Sequence, residues 1–226
     1  MNLFNKIASL VAPPKLTVSQ WADNHMVLSK EASAEHGLWN TDRAPYQREI
    51  MDAVNDPDVD QIVVMSSAQV GKSEIINNII GYHIDYDPAP MLLMQPTLEI
   101  DEAYSKDRIA SMIRETPALS KKVNSPKAKD GNNTLLQKKF AGGHFTLVGA
   151  NSPASLASRP VRIVLADEVD RFPPSAGAEG DPLALAQKRT KTFWNNKWVS
   201  VSTPTIKGAS RTSMSIWSIV YKVLVH

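Results

Sequence analysis

Short uninterrupted apolar runs alternate along this chain with longer stretches in which apolar residues recur every three or four positions. Ile62-Val63-Val64-Met65, Met91-Leu92-Leu93-Met94 and Ile163-Val164-Leu165-Ala166 are the clearest runs. Bounded by polar residues, they read as strands buried on both faces. Trp198-Val199-Ser200-Val201-Ser202 alternates instead, as a strand with two different faces does. Ile75-Ile76-Ile79-Ile80 has helical spacing. The pattern predicts helices over residues 17–26 (with Trp21 on the apolar face), 45–55, 72–86, 98–115 and 182–193. It predicts strands over 60–66, 91–95 and 163–168. Residues 134–140 and 144–150 flank Gly142-Gly143 as a hairpin. Thr97 and Asp181-Pro182 are helix-start signals. Residues 27–44 are expected to be mostly loop, and Ser152-Pro153 to open a short helix before Arg159-Pro160.

Two motifs sit at the ends of these strands. Ser66-Ser67-Ala68-Gln69-Val70-Gly71-Lys72-Ser73 joins strand 60–66 to helix 72–86. Strand, short loop and helix ending in Gly-Lys-Ser read as a phosphate-binding P-loop. The amides of Ser67, Gln69, Val70 and Gly71 would face anionic oxygens. Lys72 would reach the β- and γ-phosphates of ATP, and the Ser73 hydroxyl would ligate Mg²⁺. The usual opening Gly is replaced by Ser66, so the first bend must be made differently. Alone, Gly-Lys-Ser is equally an ordinary strand-to-helix turn.

Asp167-Glu168 closes the run 163–166. Acids at the C-terminal tip of a buried parallel strand lie where open α/β sheets bind ligands. Asp167 is the candidate Mg²⁺ ligand and Glu168 the candidate general base for water. Gln47, in the helix after Pro45, offers the donor and acceptor that suit an adenine edge. Thr203, after the alternating strand, is a candidate γ-phosphate sensor. Strands alternating with helices imply an α/β fold with a mostly parallel central sheet flanked by helices. The extra strand at 91–95 between the two motifs agrees with a RecA-like P-loop NTPase.

Bulk composition narrows the picture only slightly. A chain of 226 residues suits one domain with its own core. With no cysteine, disulfides and Cys-based metal sites are excluded. The N-terminus lacks the long apolar stretch of a signal peptide. A net charge of +2 says little about partners. Lysines near 121–139 and the run Gln187-Lys188-Arg189-Thr190-Lys191 are local basic clusters that suit either DNA phosphates or a plain solvated face.

With Tyr46-Gln47, Ala68 to Ser73, Gln95-Pro96-Thr97, Gly149 to Pro160, Asp167 to Arg171 and Ser202 to Gly208 taken together, the chain resembles the terminase large subunits of tailed bacteriophages, in the lambda-type branch. The likeness covers roughly residues 15–211. The stretch Ala150-Asn151-Ser152-Pro153 through Ser158-Arg159-Pro160 distinguishes it from generic helicases. The resemblance implies an ATP-hydrolysing motor in the host cytoplasm that threads double-stranded DNA into a procapsid. It implies a terminase small subunit and a portal as partners, assembly as a homo-oligomer while packaging, and no membrane association.

Two departures accompany the likeness. Several terminases carry a basic residue within the P-loop, whereas Ser66, Ala68 and Gln69 are uncharged here. Arg159 and Arg162, which flank the strand leading to Asp167, are the candidates to meet transition-state charge, on their own subunit's nucleotide or a neighbour's. The second departure is the tail, 212–226, which does not look like the family's continuation into a nuclease domain. The expected layout is an N-terminal segment over 1–44, an ATPase core over 45–211 and this tail, with no nuclease activity. Nearly uncharged and rich in β-formers, the tail either stays unpaired and prone to aggregate or packs on a sheet edge. A general helicase or DNA translocase, and a silent remnant acting only as a binding module, remain open alternatives.

Overall fold

The computed structural model describes residues 15–31, 33, 35–123, 133–152, 160–205, 210–211 and 221–225. Two short strands, β1 (Val27–Leu28) and β2 (Gly37–Leu38), pair antiparallel. They give the expected loop 27–44 a small ribbon, followed by a 3₁₀ turn over Thr41–Arg43.

The apolar runs form the middle of the main sheet. Its strands are β3 (Gln61–Ser66), β4 (Met91–Gln95), β5 (Gln137–Phe140), β6 (Gly143–Gly149), β7 (Ile163–Asp167), β8 (Lys197–Ser202) and β9 (Tyr221–Val225). Among the described residues the order is β5-β6-β4-β7-β8-β3-β9. Every neighbouring pair is parallel except β5 with β6, which form the expected hairpin. Alternate residues of the central strands feed two cores. Met91, Leu93, Ile163, Leu165, Ile62 and Val64 belong to one, and Leu92, Met94, Val164 and Ala166 to the other. A strand covered on both faces needs no polar side, which is why these runs are uninterrupted.

The helices are α1 (Val18–His25), α2 (Tyr46–Asp52), α3 (Lys72–Asp85), α4 (Leu98–Tyr104), α5 (Ala110–Glu115), α6 (Pro117–Ser120) and α7 (Pro182–Gln187). Helix α1 starts with a capping box between Thr17 and Gln20. It is also held by Asp52 and Asn55, which accept from the amides of Ser19 and Val18. Its Trp21 is fully buried and donates through Nε1 to Asp85 at 2.8 Å. The ring seats on Gly81 of α3, where a Cβ would lie 2.5 Å from the indole. The N-terminal helix therefore braces the helix that leaves the P-loop.

Three expected helices are shorter or broken. The span 98–115 is interrupted by a π turn over Ser105–Ile109. There Ser111 donates to the carbonyls of Asp107 and Arg108, and Ser105 to that of Leu135. A hydroxyl that takes its own helix's carbonyls, as that of Ser111 does, competes with the α-helical ladder. Helix 45–55 tightens to a 3₁₀ turn over Ala53–Asn55. Helix α7 stops at Gln187, not 193, because Arg189 and Thr190 close onto carbonyls three residues back. The helix expected after Ser152-Pro153 lies outside the described residues.

The tail pairs with the sheet. Tyr221–Val225 runs parallel to β3, from Ile62↔Tyr221 to Ser66↔Val225. Edge packing is thus the outcome found for this segment. Among the described residues no helix is long and apolar enough to cross a membrane.

Candidate nucleotide site

Because β3, β4, β7 and β8 are parallel, their C-terminal ends share one edge of the sheet. The P-loop leaves β3, Asp167 ends β7, and β8 lies between them. Two strand spacings, about 10 Å, separate the loop from the acids. That gap suits a polyphosphate with its ion, and Thr203 stands in it at the tip of β8.

Ser66 stays in β3 as its last residue. The left-handed bends fall later, at Gln69 (φ 62°) and Gly71 (φ 79°). This is how the loop turns without an opening glycine. Gly71 also caps α3, and a Cβ there would lie 2.4 Å from Gln47 Nε2. Gly71→Ala is therefore expected to cost about 1–3 kcal/mol, from positive φ and from displacing Gln47. Nucleotide affinity should fall with it. Thermal melting and nucleotide titration of the variant check this; an unchanged melting temperature contradicts it.

Lys72 is only 6% exposed. Its Nζ donates to the Ser67 carbonyl at 2.9 Å and to Thr203 Oγ1 at 2.7 Å. Glu168 Oε1 stands 3.8 Å away. Glu168 itself has φ 55°, a left-handed conformation that a Glu holds only where the surroundings enforce it. Its other oxygen, Oε2, is buried without a hydrogen bond, 3.8 Å from Arg171 Nε. The carboxylate thus hangs between two cations without hydrogen-bonding either. Asp167 is nearly buried, and its pKa is pushed up to about 6, first by burial and then by the charge of Glu168. Gln95 and Lys72 oppose that rise.

Gln47 also reaches the loop: Nε2 donates to the Val70 carbonyl at 3.2 Å, and Oε1 is buried without a partner. The Tyr46 hydroxyl donates to the same carbonyl at 3.0 Å. Ser73 is the second residue of α3, and its carbonyl accepts from Tyr104 at 3.4 Å. The structure thus gathers Lys72, Thr203, Asp167, Glu168, Gln47 and the loop residues Ser67, Gln69, Val70, Gly71 and Ser73 at one edge. Arg159 lies outside the described residues.

Arg162 does not join them. It precedes β7, five residues or about 17 Å along an extended strand from Asp167. There it pairs with Asp87. Flanking a strand in sequence puts a residue at the strand's far end, so Arg162 does not reach its own subunit's P-loop.

Sequence reasoning assigned no role to two residues here. Gln95, at the tip of β4, donates to Asp167 Oδ2 at 3.4 Å. Tyr104 is partly buried, and its hydroxyl donates to Asn77 Oδ1 at 2.7 Å on the helix that carries Ser73. The available signal for Gln95 was its place: a polar residue closing a buried strand beside the one that ends in Asp167.

Among the described residues no three His, Cys, Asp or Glu side chains group to hold a metal by themselves. One carboxylate plus one hydroxyl suits Mg²⁺, which keeps several waters and takes phosphate oxygens as ligands. A buried Asp167 and a buried Lys72 meeting only neutral oxygens at hydrogen-bond range fit such an ion and an anionic substrate.

A P-loop facing an acidic strand tip across one intervening strand defines a P-loop NTPase fold. Within that class the chain belongs to the phage terminase large-subunit family. Residues 33–219 match the family described as "Phage terminase large subunit gpA, ATPase domain". The terminase large subunit of Enterobacteria phage P21 is 32% identical over 204 residues, covering 90% of this chain and 32% of that protein. That of Escherichia phage lambda is 30% identical over 203 residues, covering 89% and 31%. The chain therefore spans about a third of the length of these curated relatives. The crystal structure of the HK97 bacteriophage large terminase superposes with a TM-score of 0.69 at 14% identity, covering 90% of this chain and 42% of that one. At that identity the likeness speaks for the fold alone.

Proposed function

We propose that this chain is the ATP-hydrolysing motor domain of a terminase and drives double-stranded DNA into a procapsid. One observation carries the reading: Lys72 Nζ lies 2.7 Å from Thr203 and 3.8 Å from Glu168, so three strand ends meet at one cation. A cation buried there is poised to exchange neutral acceptors for phosphate oxygens.

Each residue then has a job. The amides of Ser67, Gln69, Val70 and Gly71 cradle phosphate, and Lys72 clamps its charge. Ser73 and Asp167 hold Mg²⁺, which when bound neutralises charge on the phosphate oxygens. Glu168 takes the proton of the attacking water. Gln47 turns its amide from Val70 to the adenine edge. Thr203 loses its bond to Lys72 as that lysine turns to phosphate, which couples nucleotide state to β8. Arg159, from this subunit or a neighbour, meets the transition-state charge. The terminase small subunit, the portal and procapsid, and further copies of this chain are the partners of such a motor in the host cytoplasm. Residues 45–211 form its ATPase core, after the segment 1–44 and before the tail 212–226.

The decisive test is ATP hydrolysis with and without double-stranded DNA. Stimulation by DNA is expected; turnover indifferent to DNA would remove the motor reading. Unwinding of a partial duplex in the same preparation would favour a general helicase. A pH series tests the metal assignment. With Asp167 raised to about 6 in the metal-free protein, metal must displace a proton below that pH. Affinity for ADP in Mg²⁺ should be flat above about pH 7 and fall about tenfold per unit well below 6. The same decline in EDTA would rule out Asp167 as its source.

A further inference from the structure

We propose that Gln95 is a positioning residue of the metal site: its Nε2 holds Asp167 in place while its Oε1 accepts a hydrogen from a water ligand of Mg²⁺. The inference rests on the Mg²⁺–nucleotide reading above and extends it to a residue that reading leaves idle.

The argument begins with register. Met94 of β4 pairs with Ala166 of β7, so Gln95 and Asp167 are the next neighbours at the shared edge. Both side chains are buried, at 3% and 6% exposure. Gln95 Nε2 lies 3.4 Å from Asp167 Oδ2. Turning the amide over would set its oxygen against a carboxylate, so Asp167 fixes which end of the amide it faces. The remaining atom, Oε1, is buried and has no hydrogen-bond partner.

An acceptor in that position is destabilising for the protein by itself, and buried polar atoms are rarely left so. Among the described residues the donors around Asp167 face other groups: Lys72 gives two of its three hydrogens to Ser67 and Thr203 and has Glu168 at 3.8 Å, and the Tyr104 hydroxyl gives its one to Asn77. The site therefore needs a donor that arrives with the ligand. Water bound to a divalent cation is such a donor, because the ion polarises its O–H bonds. Mg²⁺ dehydrates reluctantly and keeps waters that neighbouring groups must receive. Residues that hold ligands and their waters commonly change metal affinity 10- to 100-fold.

The experiment measures ADP affinity by calorimetric titration in Mg²⁺ and in EDTA for the unaltered chain and for Gln95→Leu. If the unaltered chain binds ADP equally in both, the Mg²⁺ site itself is wrong, and that failure is separate from any effect of Gln95. Gln95→Leu is expected to lose about 10- to 100-fold of the affinity in Mg²⁺ and none in EDTA. Its metal-free melting temperature should change little, since losing an unpaired buried oxygen offsets losing the hydrogen bond to Asp167. The proposal is overturned if the Leu variant keeps the full Mg²⁺ effect or weakens equally in EDTA. It is overturned too if the Leu variant melts far below the unaltered chain, which makes Gln95 a packing residue.

Discussion

Lys72→Ala is expected to remove ATP turnover, by about a thousandfold or more, while leaving the sheet and helices in place. Preorganised donors aimed at developing charge are individually worth 10²–10³ in rate, and Lys72 adds a full charge inside a buried site. The fold should survive because, among the described residues, Nζ hydrogen-bonds only to the Ser67 carbonyl and Thr203 Oγ1. Both lie at the open edge, where water can replace a missing ammonium. Glu168 keeps Arg171 as a neighbour at 3.8 Å. Steady-state phosphate release and a circular-dichroism melt read the two halves of this statement. Turnover within tenfold of the unaltered chain would falsify the phosphate-clamp assignment; a collapsed melt would show that the buried ammonium holds the edge together.

The second large effect separates binding from chemistry. Glu168→Gln should bind Mg-ATP and hydrolyse it about 10²–10⁴ times more slowly, the usual worth of a general base. Binding should improve slightly. The Glu168 charge is one of the causes that raise Asp167; without it Asp167 ionises at lower pH and meets the metal more readily. A single-turnover quench should recover bound, intact ATP. Loss of binding together with turnover, or unchanged turnover, would contradict the role given to Glu168.

These two residues were legible before any coordinates because each closes a local pattern. Lys72 follows a β-branched strand and opens a helix, and Glu168 ends a run too apolar to be a surface strand. Thr203 was legible for the same reason. Gln95 was visible as a polar end to a buried strand, yet glutamine after an apolar run has many uses. Only the register of β4 against β7 gives it a partner. Tyr104 had no sequence signal at all, since a tyrosine with helical spacing is ordinary core. Arg162 shows the opposite for the nucleotide of its own subunit. Nearness to Asp167 in sequence suggested nearness in space, but a strand carries its two ends apart, and Arg162 pairs with Asp87 at the other end.

The helix boundaries missed for a related reason. Periodicity over 98–115 continues through the π turn because side-chain pattern does not record which carbonyl a backbone amide finds. The Ser111 hydroxyl competes for the carbonyls of Asp107 and Arg108 only once its rotamer is set by packing. The ends of α7 and α2 were set likewise by i→i+3 closures that the apolar spacing does not encode.

By itself the sequence determined the local units: strands apolar enough to be buried on both faces, a loop whose left-handed turn needs Gly71, and acids at a strand tip. These follow from sterics, side-chain period and the cost of burying charge, all of which act within a few residues. Tertiary structure alone decided that β8 lies between β3 and β7, that Gln95 stands against Asp167, and that the last described strand pairs with β3. Strand order is chosen by how helices cover the two faces of the whole sheet, and no local pattern carries that information.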